Sequence, residues 1–546
     1  MLPAPSHTAA SSDTASTRWL SWCFWMLLAL LLPLMLQASL DFGTTWDEGD
    51  RHRNGEAIVQ YYQGLRSRED AHYGTMYPGL FDVVPAWLEQ HLATDRYVLR
   101  HRVNAVFGWV GLVFTGLLAR RLFGPWSGLL AVLLLALSPR YFAASMNNPK
   151  DLPFGAMGMV ALYGMSRLSP QWPFVRLGTG AGIAVGLGLA LATRPGGLLL
   201  FGYLLLLVCA FVVVHRTTAA GDTLVIDRRM DWKATADSVA RLGAVLVAAL
   251  LIATVFWPWA QASPVTRPFE ALGRASNYPW DGHVLFAGTE TLASELPWSY
   301  LPTWFAIATP PVVLVGLICG IVVHVRGWGW PRLAVAGAAL LPIVLIIVRN
   351  STVYDGLRHV LFTYPPMVVV AASGWAGLQA LRHRWLRVGG VVLLAAGLLD
   401  IASFNVRSYP NQAVYFNELV GGPRGAFARY ELDYWGNCVL QAVEWSAGAA
   451  RRAGMPVSVV GSPRHLVEAN AARFPAVAMA PDERYPHHLM IRLLRGSSED
   501  VRALAARDDA VHHVTTADGA VLCAVFPGSD FDALHRRLQA FDRAGS

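Results

Sequence analysis

The first apolar run and the acids behind it are, over residues 22–50, WCFWMLLALLLPLMLQASLDFGTTWDEGD. The apolar part, 22–40, has about the 20 residues that a helix needs to cross a bilayer. Three carboxylates follow it, on Asp47, Glu48 and Asp50. Membrane orientation is set mainly by lysine and arginine, and acidic residues contribute little to it. We therefore expect the acidic cluster to have a role other than insertion.

The composition is that of a membrane protein. Of the 546 residues, 54% are hydrophobic and only 15% are charged, whereas soluble domains carry about 25% charged residues. Long apolar runs recur between residues 22 and 403. The net charge of +7 does not indicate nucleic-acid binding, because the basic residues cluster between the apolar runs. Membrane orientation and lipid headgroups explain basic residues at those places.

The first apolar run also resembles a secretory signal peptide in its position. A signal peptide ends in a small-x-small cleavage site, but the triplet 36–38 begins with a bulky leucine. We therefore interpret the run as an uncleaved membrane helix. The residues before it, 1–19, are rich in Ser, Thr and Ala, and this composition predicts a disordered cytoplasmic tail.

Hydropathy predicts about eleven membrane spans. Their limits are 20–40, 99–119, 126–145, 151–168, 177–193, 196–215, 241–258, 303–324, 332–349, 358–380 and 386–403. With a cytoplasmic N-terminus, every short inner loop is basic, as the positive-inside rule requires. The basic residues are Arg120, Arg121, Arg167, Arg176, those of the run 215–229, Lys233, Arg241, Arg326, Arg332, Arg382, Arg384 and Arg387. The chain is thus predicted to be a multi-pass protein of the inner membrane, with its C-terminal region outside the cytoplasm.

The polar regions on the outer side are the loops 41–98 and 260–302, an aromatic-rich connecting segment 404–436, and 437–546. The last region alternates short apolar runs with helical patterns, which predicts a small α/β extracytoplasmic domain. Strands are expected at 457–460, 476–479, 489–491 and 521–525, and helices at 439–452 and 498–506. Cys438 and Cys523 lie in this region and can form a disulfide if it is extracytoplasmic, or stay as two free thiols.

Five unusual polar segments fall on this same outer side. They are 47–50, 147–151, 193–195, 354–359 and 408–435. A random scatter would divide them between the two membrane faces. Their placement on one face predicts a single site there.

Asp47 and Glu48 are the candidate catalytic residues of this site. A carboxylate at the bilayer border can take a proton from an acceptor hydroxyl, with a pKa raised by desolvation and a like-charged neighbour. Carboxylates also suit a divalent metal ion, so a metal at Asp47 and Glu48 stays open. The alternative is that Asp47 caps a helix or lies in a solvated loop.

Lys150, Arg194, Arg358 and His359 are predicted at the outer ends of spans, and cations at one depth suit a phosphate group. Lipid headgroup contacts also explain each of them alone, with Lys150 reaching out to the headgroups and Asp151 capping a helix. The segments 409–422 and 430–435 are rich in aromatic and amide side chains. Such side chains suit sugar rings, and they suit equally the docking of the outer domain on the membrane part.

Four segments taken in order resemble the GT-C glycosyltransferases. These segments are Thr-Trp-Asp-Glu at 45–48, Asn-Pro-Lys-Asp at 148–151, Tyr-Asp-Gly-Leu-Arg-His at 354–359 and Tyr-Phe-Asn-Glu-Leu-Val-Gly-Gly at 415–422. More narrowly they resemble glycosyltransferase family 39, which contains the protein O-mannosyltransferases and aminoarabinose transferases. The resemblance covers residues 20 to about 436, and so identifies 20–403 as a GT-C-like transmembrane catalytic domain.

The resemblance implies inverting transfer of a sugar from a polyprenyl-phosphate donor to an acceptor hydroxyl on the outer face. It implies that Asp47 is the general base, with Glu48 as its partner. The expected substrate-binding residues are Lys150, Asp151, Arg194, Tyr354, Asp355, Arg358, His359, Asn417 and Glu418. The acceptor stays open among protein, lipid and glycan. No nucleotide fingerprint and no zinc-ligand spacing occur in the sequence, and a divalent cation is the one cofactor left open.

A transporter or flippase of lipid-linked sugars is the competing interpretation. Transporters place ionisable residues near the membrane midplane and often contain paired broken helices. The polar segments of this chain are instead predicted at one surface. That placement favours the enzyme.

Overall fold

The structure is a computed structural model, and it describes residues 9–71, 76–168, 171–172, 174–213, 217–219, 224–226, 232–276, 278, 280–324 and 330–544. Residues 1–8, Arg326 and most of the basic run 215–229 lie outside the described residues. The first helix begins at Ala9. It therefore includes part of the segment predicted to be a disordered tail, because an alanine-rich stretch joins directly to the apolar run.

Helices make up most of the described chain between residues 9 and 407. They are Ala9–Ala38, Glu48–Tyr62, Leu80–Glu89, Arg96–Phe123, Pro125–Leu137, Pro139–Asn147, Asp151–Ser166, Leu177–Leu191, Leu198–Val213, Trp232–Val255, Pro258–Gln261, Thr266–Ser276, Tyr300–Ala308, Pro311–His324, Trp330–Val348, Tyr364–Gly377 and Arg384–Arg407. A hairpin of strands His283–Phe286 and Thr289–Leu292 lies in the second outer loop, and strands Thr217–Ala219 and Leu224–Ile226 form another pair.

Each of the predicted spans coincides with helical structure, and the expected polytopic membrane fold is confirmed. Among the described residues, six helices are long and apolar enough to cross a bilayer, or up to eight if each of two bent pairs is one span. The bent pairs are Pro125–Leu137 with Pro139–Asn147 and Tyr300–Ala308 with Pro311–Val323, at angles of 68° and 113°. Proline begins the second helix of each pair, and its missing N–H and fixed φ explain the break.

Basic residues gather at one end of the helical bundle. Arg120 donates to Ser21 Oγ at 2.6 Å, Arg121 to the Ser166 carbonyl at 3.3 Å, and Arg332 to the Leu122 carbonyl at 3.2 Å. Arg120 and Arg121 form the last turn of Arg96–Phe123, whereas His101, near the first turn of that helix, contacts Glu48. The acidic cluster therefore lies at the end of the bundle opposite these arginines.

A five-stranded sheet forms after residue 456. Its strands are β1 (Val457–Ser462), β2 (Val477–Met479), β3 (Leu489–Leu493), β4 (His512–Thr515) and β5 (Val521–Pro527), in the order β2-β1-β3-β5-β4. β1 is parallel to β2 and β3, and β5 is antiparallel to β3 and β4. The helices Cys438–Ala453, Arg464–Ala471, Ser498–Ala505 and Phe531–Ala544 accompany the sheet. The four expected strands are confirmed, and β4 was missed because His-His-Val-Thr lacks a clear apolar alternation.

A disulfide joins Cys438 to Cys523. It links the first helix of this region, Cys438–Ala453, to β5, the strand that lies between β3 and β4 in the sheet. The pairing settles the alternative left open by the sequence. Both cysteines are fully buried, so the bond lies within the core of the C-terminal region.

The C-terminal region holds the segment that leads to the acidic cluster. The Gly43 N–H donates to Asn437 Oδ1 and the Thr44 N–H to Asn470 Oδ1, each at 2.9 Å. Arg473 donates to the Leu40 carbonyl at 3.0 Å. These bonds satisfy buried backbone groups of an irregular segment, which would otherwise be costly to bury. They fix the course of the chain immediately before Asp47.

Candidate active site

The Glu48 side chain, and not that of Asp47, bonds the turn that precedes the helix Glu48–Tyr62. Its Oε2 accepts from the Thr45 N–H at 2.7 Å and from Thr45 Oγ1 at 3.1 Å. Its Oε1 pairs with His101 Nε2 at 3.0 Å, and the side chain is 1% exposed. The Asp47 side chain makes no capping hydrogen bond. Asp47 thus occupies the N-cap position without capping the helix through its side chain, and Glu48 has a structural position rather than a place beside the Asp47 carboxylate.

The Asp47 carboxylate pairs with two cations. Its Oδ2 is 3.4 Å from Lys150 Nζ and also contacts Arg358 Nη2. Burial alone would raise the pKa of Asp47, but the charges of Arg358, Lys150 and Arg51 hold it well below its usual range. The expected raised pKa is therefore wrong, because cations rather than a like-charged neighbour surround the carboxylate.

The segment 148–151 places a lysine in the site by capping a helix with asparagine. Asn148 Oδ1 accepts from the Asp151 N–H at 2.9 Å and from the Lys150 N–H at 3.2 Å, at the start of Asp151–Ser166. Asp151 is not the cap, and Lys150 turns inward to Asp47 instead of outward to headgroups. Lys150 Nζ also lies 5.2 Å from the centre of the Tyr77 ring, a cation–π contact.

Asp151 joins two of the predicted phosphate-binding arginines. Its Oδ1 contacts Arg194 Nη2, and its Oδ2 lies 3.6 Å from Arg358 Nε. The Asp151 side chain is 2% exposed. Arg194 Nε is buried and has no hydrogen-bond acceptor among the described residues, so Arg194 retains a donor for a further acceptor.

The turn 354–358 presents Arg358 to Asp47. Asp355 has a φ of 55° and Gly356 a φ of 66°, so the chain makes a left-handed turn at both residues. Glycine adopts such a φ freely, and Asp is one of the few other residues that adopt it readily. Asp355 Oδ2 accepts from Arg358 Nη1 at 2.9 Å, and the ring of Tyr354 stacks on Trp280 with centroids 4.1 Å apart.

A cavity of about 630 Å³ adjoins these cations. The polar part of its wall includes Lys150, Arg194, Arg349, Arg358, Tyr354 and His359. The apolar part includes Phe154, Leu198, Leu199, Phe269, Leu272, Leu345, Ile346 and Phe362. The cavity therefore combines four cationic side chains with an extended apolar surface.

Comparison with known proteins shows which fold this chain shares. Residues 101–259 match a family model described as dolichyl-phosphate-mannose-protein mannosyltransferase. The solved structure of ArnT from Cupriavidus metallidurans in the apo state is similar over 94% of this chain and 98% of that chain, with 16% sequence identity and a TM-score of 0.51. The chain is a membrane glycosyltransferase with the GT-C fold. The resemblance drawn from the four sequence segments is thereby confirmed.

Two further solved structures are similar to this transferase. ArnT from Cupriavidus metallidurans bound to undecaprenyl phosphate matches with 16% identity over 92% of this chain and 97% of that chain, at a TM-score of 0.49. The oligosaccharyltransferase AglB from Archaeoglobus fulgidus, in complex with an inhibitory peptide and a dolichol-phosphate, matches with 11% identity over 86% and 69%, at 0.44. No curated protein sequence matches the chain.

Two residues predicted to bind substrate lie elsewhere in the transferase. Asn417 is fully buried and donates to the carbonyls of Ala306, at 2.7 Å, and Thr309, at 2.8 Å. It thus ties the connecting segment to the break between Tyr300–Ala308 and Pro311–His324. Glu418 is exposed to solvent. Neither residue lines the cavity, and their assignment as substrate-binding residues stays a prediction.

Among the residues that the structure describes, no group of three or more His, Cys, Asp or Glu side chains is placed to hold a metal ion. Asp47 and Glu48 point into different surroundings, since Asp47 faces cations and Glu48 faces Thr45 and His101. They do not form the joint pair of oxygen ligands that the sequence left open.

Arg495 and the cavity-lining Arg349 are charged residues of the site that were missed in the sequence. Arg495 Nη2 donates to Asp355 Oδ1 at 2.8 Å and lies 3.4 Å from Glu431 Oε1. Glu431 belongs to the aromatic segment 430–435, and Trp435 of the same segment lies under the Arg358 guanidinium, at 4.8 Å from the ring centre. No local pattern distinguishes Arg495 from the surface arginines around it in the sequence.

Proposed function

We propose that the transferase moves a sugar from a polyprenyl-phosphate donor to an acceptor hydroxyl on the outer face of the membrane, with inversion at the anomeric carbon. The observation that carries the proposal is the cavity in which Lys150, Arg194 and Arg358 adjoin an apolar wall, with Asp47 in contact with two of these cations. An amphiphilic phosphate needs both kinds of surface. Charge-assisted hydrogen bonds hold the phosphate, and the apolar wall accommodates the start of the prenyl chain.

The proposed reaction uses Asp47 as the general base. The acceptor oxygen attacks the anomeric carbon and its proton passes to the Asp47 carboxylate. The bond from the anomeric carbon to the phosphate oxygen breaks, and polyprenyl phosphate leaves with the electron pair. Lys150, Arg194 and Arg358 stabilise the negative charge that grows on this leaving group.

The Asp47 ion pairs make the base responsive to the donor. Asp47 contacts Lys150 and Arg358, the same cations that line the cavity. A donor phosphate that takes over these cations removes the charges that keep the pKa of Asp47 low. The carboxylate then becomes a stronger base when the donor is in place.

A second crevice, of about 670 Å³, is our candidate for the acceptor side. It lies between the first outer loop and the C-terminal region, with walls that include Trp46, Gly49, Arg53, His465 and Glu468. Trp46 and Gly49 flank Asp47 and Glu48 in the chain. The walls are polar and carry both signs of charge, so they suit the hydroxyl-bearing part of a protein, lipid or glycan acceptor.

The proposed orientation places Asp47 outside the cytoplasm. The arginines gathered around Ser21, Ser166 and Leu122 mark the opposite end of the bundle, and basic ends face the cytoplasm. The Cys438–Cys523 disulfide belongs to the same end as Asp47, through the contacts of Asn437 with Gly43. Disulfides persist mainly in oxidising compartments. Both observations support an N-terminus in the cytoplasm and a C-terminal region outside it.

Mass spectrometry of the cell envelope tests the function. Glycans, glycolipids and glycoproteins are compared between cells with the wild-type chain, cells without it, and cells with Asp47→Asn at equal expression. We expect one class of molecule to lose a single sugar residue in the last two samples. Identical envelopes in all three would contradict the proposal, and a loss that Asp47→Asn does not reproduce would favour transport over transfer.

Lys150 gives a pH dependence to donor binding. Burial lowers the pKa of Lys150 to about 8, despite the opposing effect of Asp47. The ammonium that attracts phosphate is therefore present below this pH and is lost as the pH rises through it. Affinity for polyprenyl phosphate is expected to fall about tenfold between pH 7 and pH 9.5.

The matched variant is Lys150→Arg. A guanidinium stays protonated throughout this range, so its binding curve is expected to stay flat up to pH 9.5. Binding is measured by titration of the purified protein in nanodiscs. An equal alkaline loss of affinity in the wild type and the variant would show that Lys150 is not the titrating group.

A further inference from the structure

Arg495 connects the C-terminal region to the cation cluster. It follows β3 directly and reaches out of the sheet, so that its Nη2 contacts both Asp355 Oδ1, at 2.8 Å, and Glu431 Oε1, at 3.4 Å. The two carboxylates are 6% and 5% exposed, and Arg495 is 24% exposed. The guanidinium also lies 5.3 Å from the centre of the Trp46 ring, next to Asp47.

Asp355 divides its two oxygens between two arginines. Oδ1 accepts from Arg495 and Oδ2 accepts from Arg358 at 2.9 Å. A buried carboxylate is stabilised by nearby positive charge, and removal of one cationic partner strengthens its attraction for the other. Arg495 therefore neutralises part of the Asp355 charge, and Arg358 stays able to reach Asp47, Asp151 and the cavity.

Glu431 contributes less charge to this arrangement than its contact suggests. Burial raises the pKa of Glu431 to about 8, although Arg495 opposes the shift. Burial thus weakens the negative charge of Glu431, and Asp355, at the shorter distance of 2.8 Å, is the main counter-charge of Arg495.

We propose that Arg495 is a positioning residue for the donor phosphate: it holds the Asp355 turn and so keeps the Arg358 guanidinium directed at the cavity. The C-terminal region thereby completes the donor site instead of only covering it. This inference rests on the proposed function, because it assigns the phosphate of the donor to Arg358. Without Arg495, Asp355 draws Arg358 toward itself and the phosphate loses one of its cations.

Binding of polyprenyl phosphate to the full-length protein in nanodiscs tests the inference. Arg495→Ala is expected to weaken binding about tenfold. Arg495→Lys is expected to stay within about threefold of the wild type, because a single nitrogen of Arg495 makes both contacts and an ammonium can replace it. The control is Arg492→Ala in β3, whose arginine pairs with Glu483 at 2.7 Å, and its binding is expected to be unchanged.

A double-mutant cycle with Asp355→Asn separates positioning from a general loss of structure. In the Asp355→Asn background, Arg495→Ala is expected to have no further effect on binding, because the carboxylate through which it acts is gone. The double variant also buries no unpaired carboxylate at this position, so it stays measurable if Arg495→Ala alone fails to fold. The melting temperature of every variant is recorded.

Three outcomes would overturn the inference. Wild-type affinity in Arg495→Ala would show that Arg358 keeps its position without Arg495. If Arg495→Ala lowers the affinity as much in the Asp355→Asn background as in the wild type, Arg495 acts through another contact. Failure of the wild type itself to bind polyprenyl phosphate would overturn the proposed function together with this inference. The wild-type titration thus distinguishes the two failures.

Discussion

Asp47→Asn is expected to lower the turnover number by about 10²- to 10⁴-fold, which is the usual contribution of a general base. Donor binding is expected to stay equal or become tighter. The reason is that the Asp47 carboxylate now contacts Lys150 and Arg358, and a neutral amide releases both cations for the phosphate. A loss of turnover combined with undiminished donor affinity is the signature of a base that competes with its substrate for the same cations.

The measurement uses purified protein with a polyprenyl-phosphate sugar and follows the release of polyprenyl phosphate. The control is Asp70→Asn, since Asp70 is an exposed carboxylate of the same outer loop that lines neither cavity and accepts from Ser67 Oγ at 2.6 Å. Asp70→Asn is expected to turn over at the wild-type rate. Normal turnover in Asp47→Asn would remove Asp47 as the base, and weaker donor binding would contradict its competition with phosphate.

Arg358→Ala is expected to weaken polyprenyl phosphate binding and turnover by about 10²- to 10³-fold. Arg358 contacts Asp47, Asp151 and Asp355 and also lines the cavity. Its removal takes a cation from the phosphate and leaves three carboxylates short of a partner. Loss of a partner from a buried ion pair costs about 3–5 kcal/mol, so the melting temperature is expected to fall as well.

Binding titration and thermal unfolding are measured on the same sample, so that affinity refers to folded protein. Arg407→Ala is the control, because Arg407 is exposed at the end of Arg384–Arg407 and bonds only the Ser403 carbonyl, at 3.4 Å, among the contacts of the described residues. Arg358→Lys is expected to be intermediate, since an ammonium keeps the charge but cannot contact three carboxylates at once. Donor affinity of Arg358→Ala equal to the wild type would exclude Arg358 as a phosphate ligand.

The membrane part of the fold could be predicted because hydropathy alone decides it. Apolar runs of about 20 residues have few alternatives to a membrane helix. The breaks were harder to place. At Ser138 and at Thr309, the hydropathy continues while a proline interrupts the helix, and the resulting bends of 68° and 113° come from backbone geometry rather than composition.

The meeting of Asp47, Lys150, Arg194 and Arg358 could also be predicted, although up to 311 residues separate the partners. The predicted topology put all four at the same membrane surface. The roles of the residues next to these four were harder to predict from the sequence. Glu48 is directed away from the Asp47 carboxylate by His101 and Thr45, and these contacts form only in the folded chain.

The role of Arg495 could not be predicted from the sequence. Arg495 lies beyond residue 436, where the sequence resemblance ends, and nothing in the sequence around it distinguishes it from a surface arginine. Its partner Asp355 is 140 residues away, on a turn whose left-handed φ is set by tertiary contacts. Asn417 shows the converse case, because its place in a recognised segment suggested substrate contact while its amide bonds the carbonyls of Ala306 and Thr309.

A structure of the wild-type protein with polyprenyl phosphate bound tests the central claim most directly. We predict that the phosphate oxygens lie within about 3 Å of Lys150 Nζ and the Arg358 guanidinium, with the prenyl chain along the apolar wall and Asp47 released from both cations. A phosphate bound elsewhere, with Lys150 and Arg358 still paired to Asp47, would contradict the account.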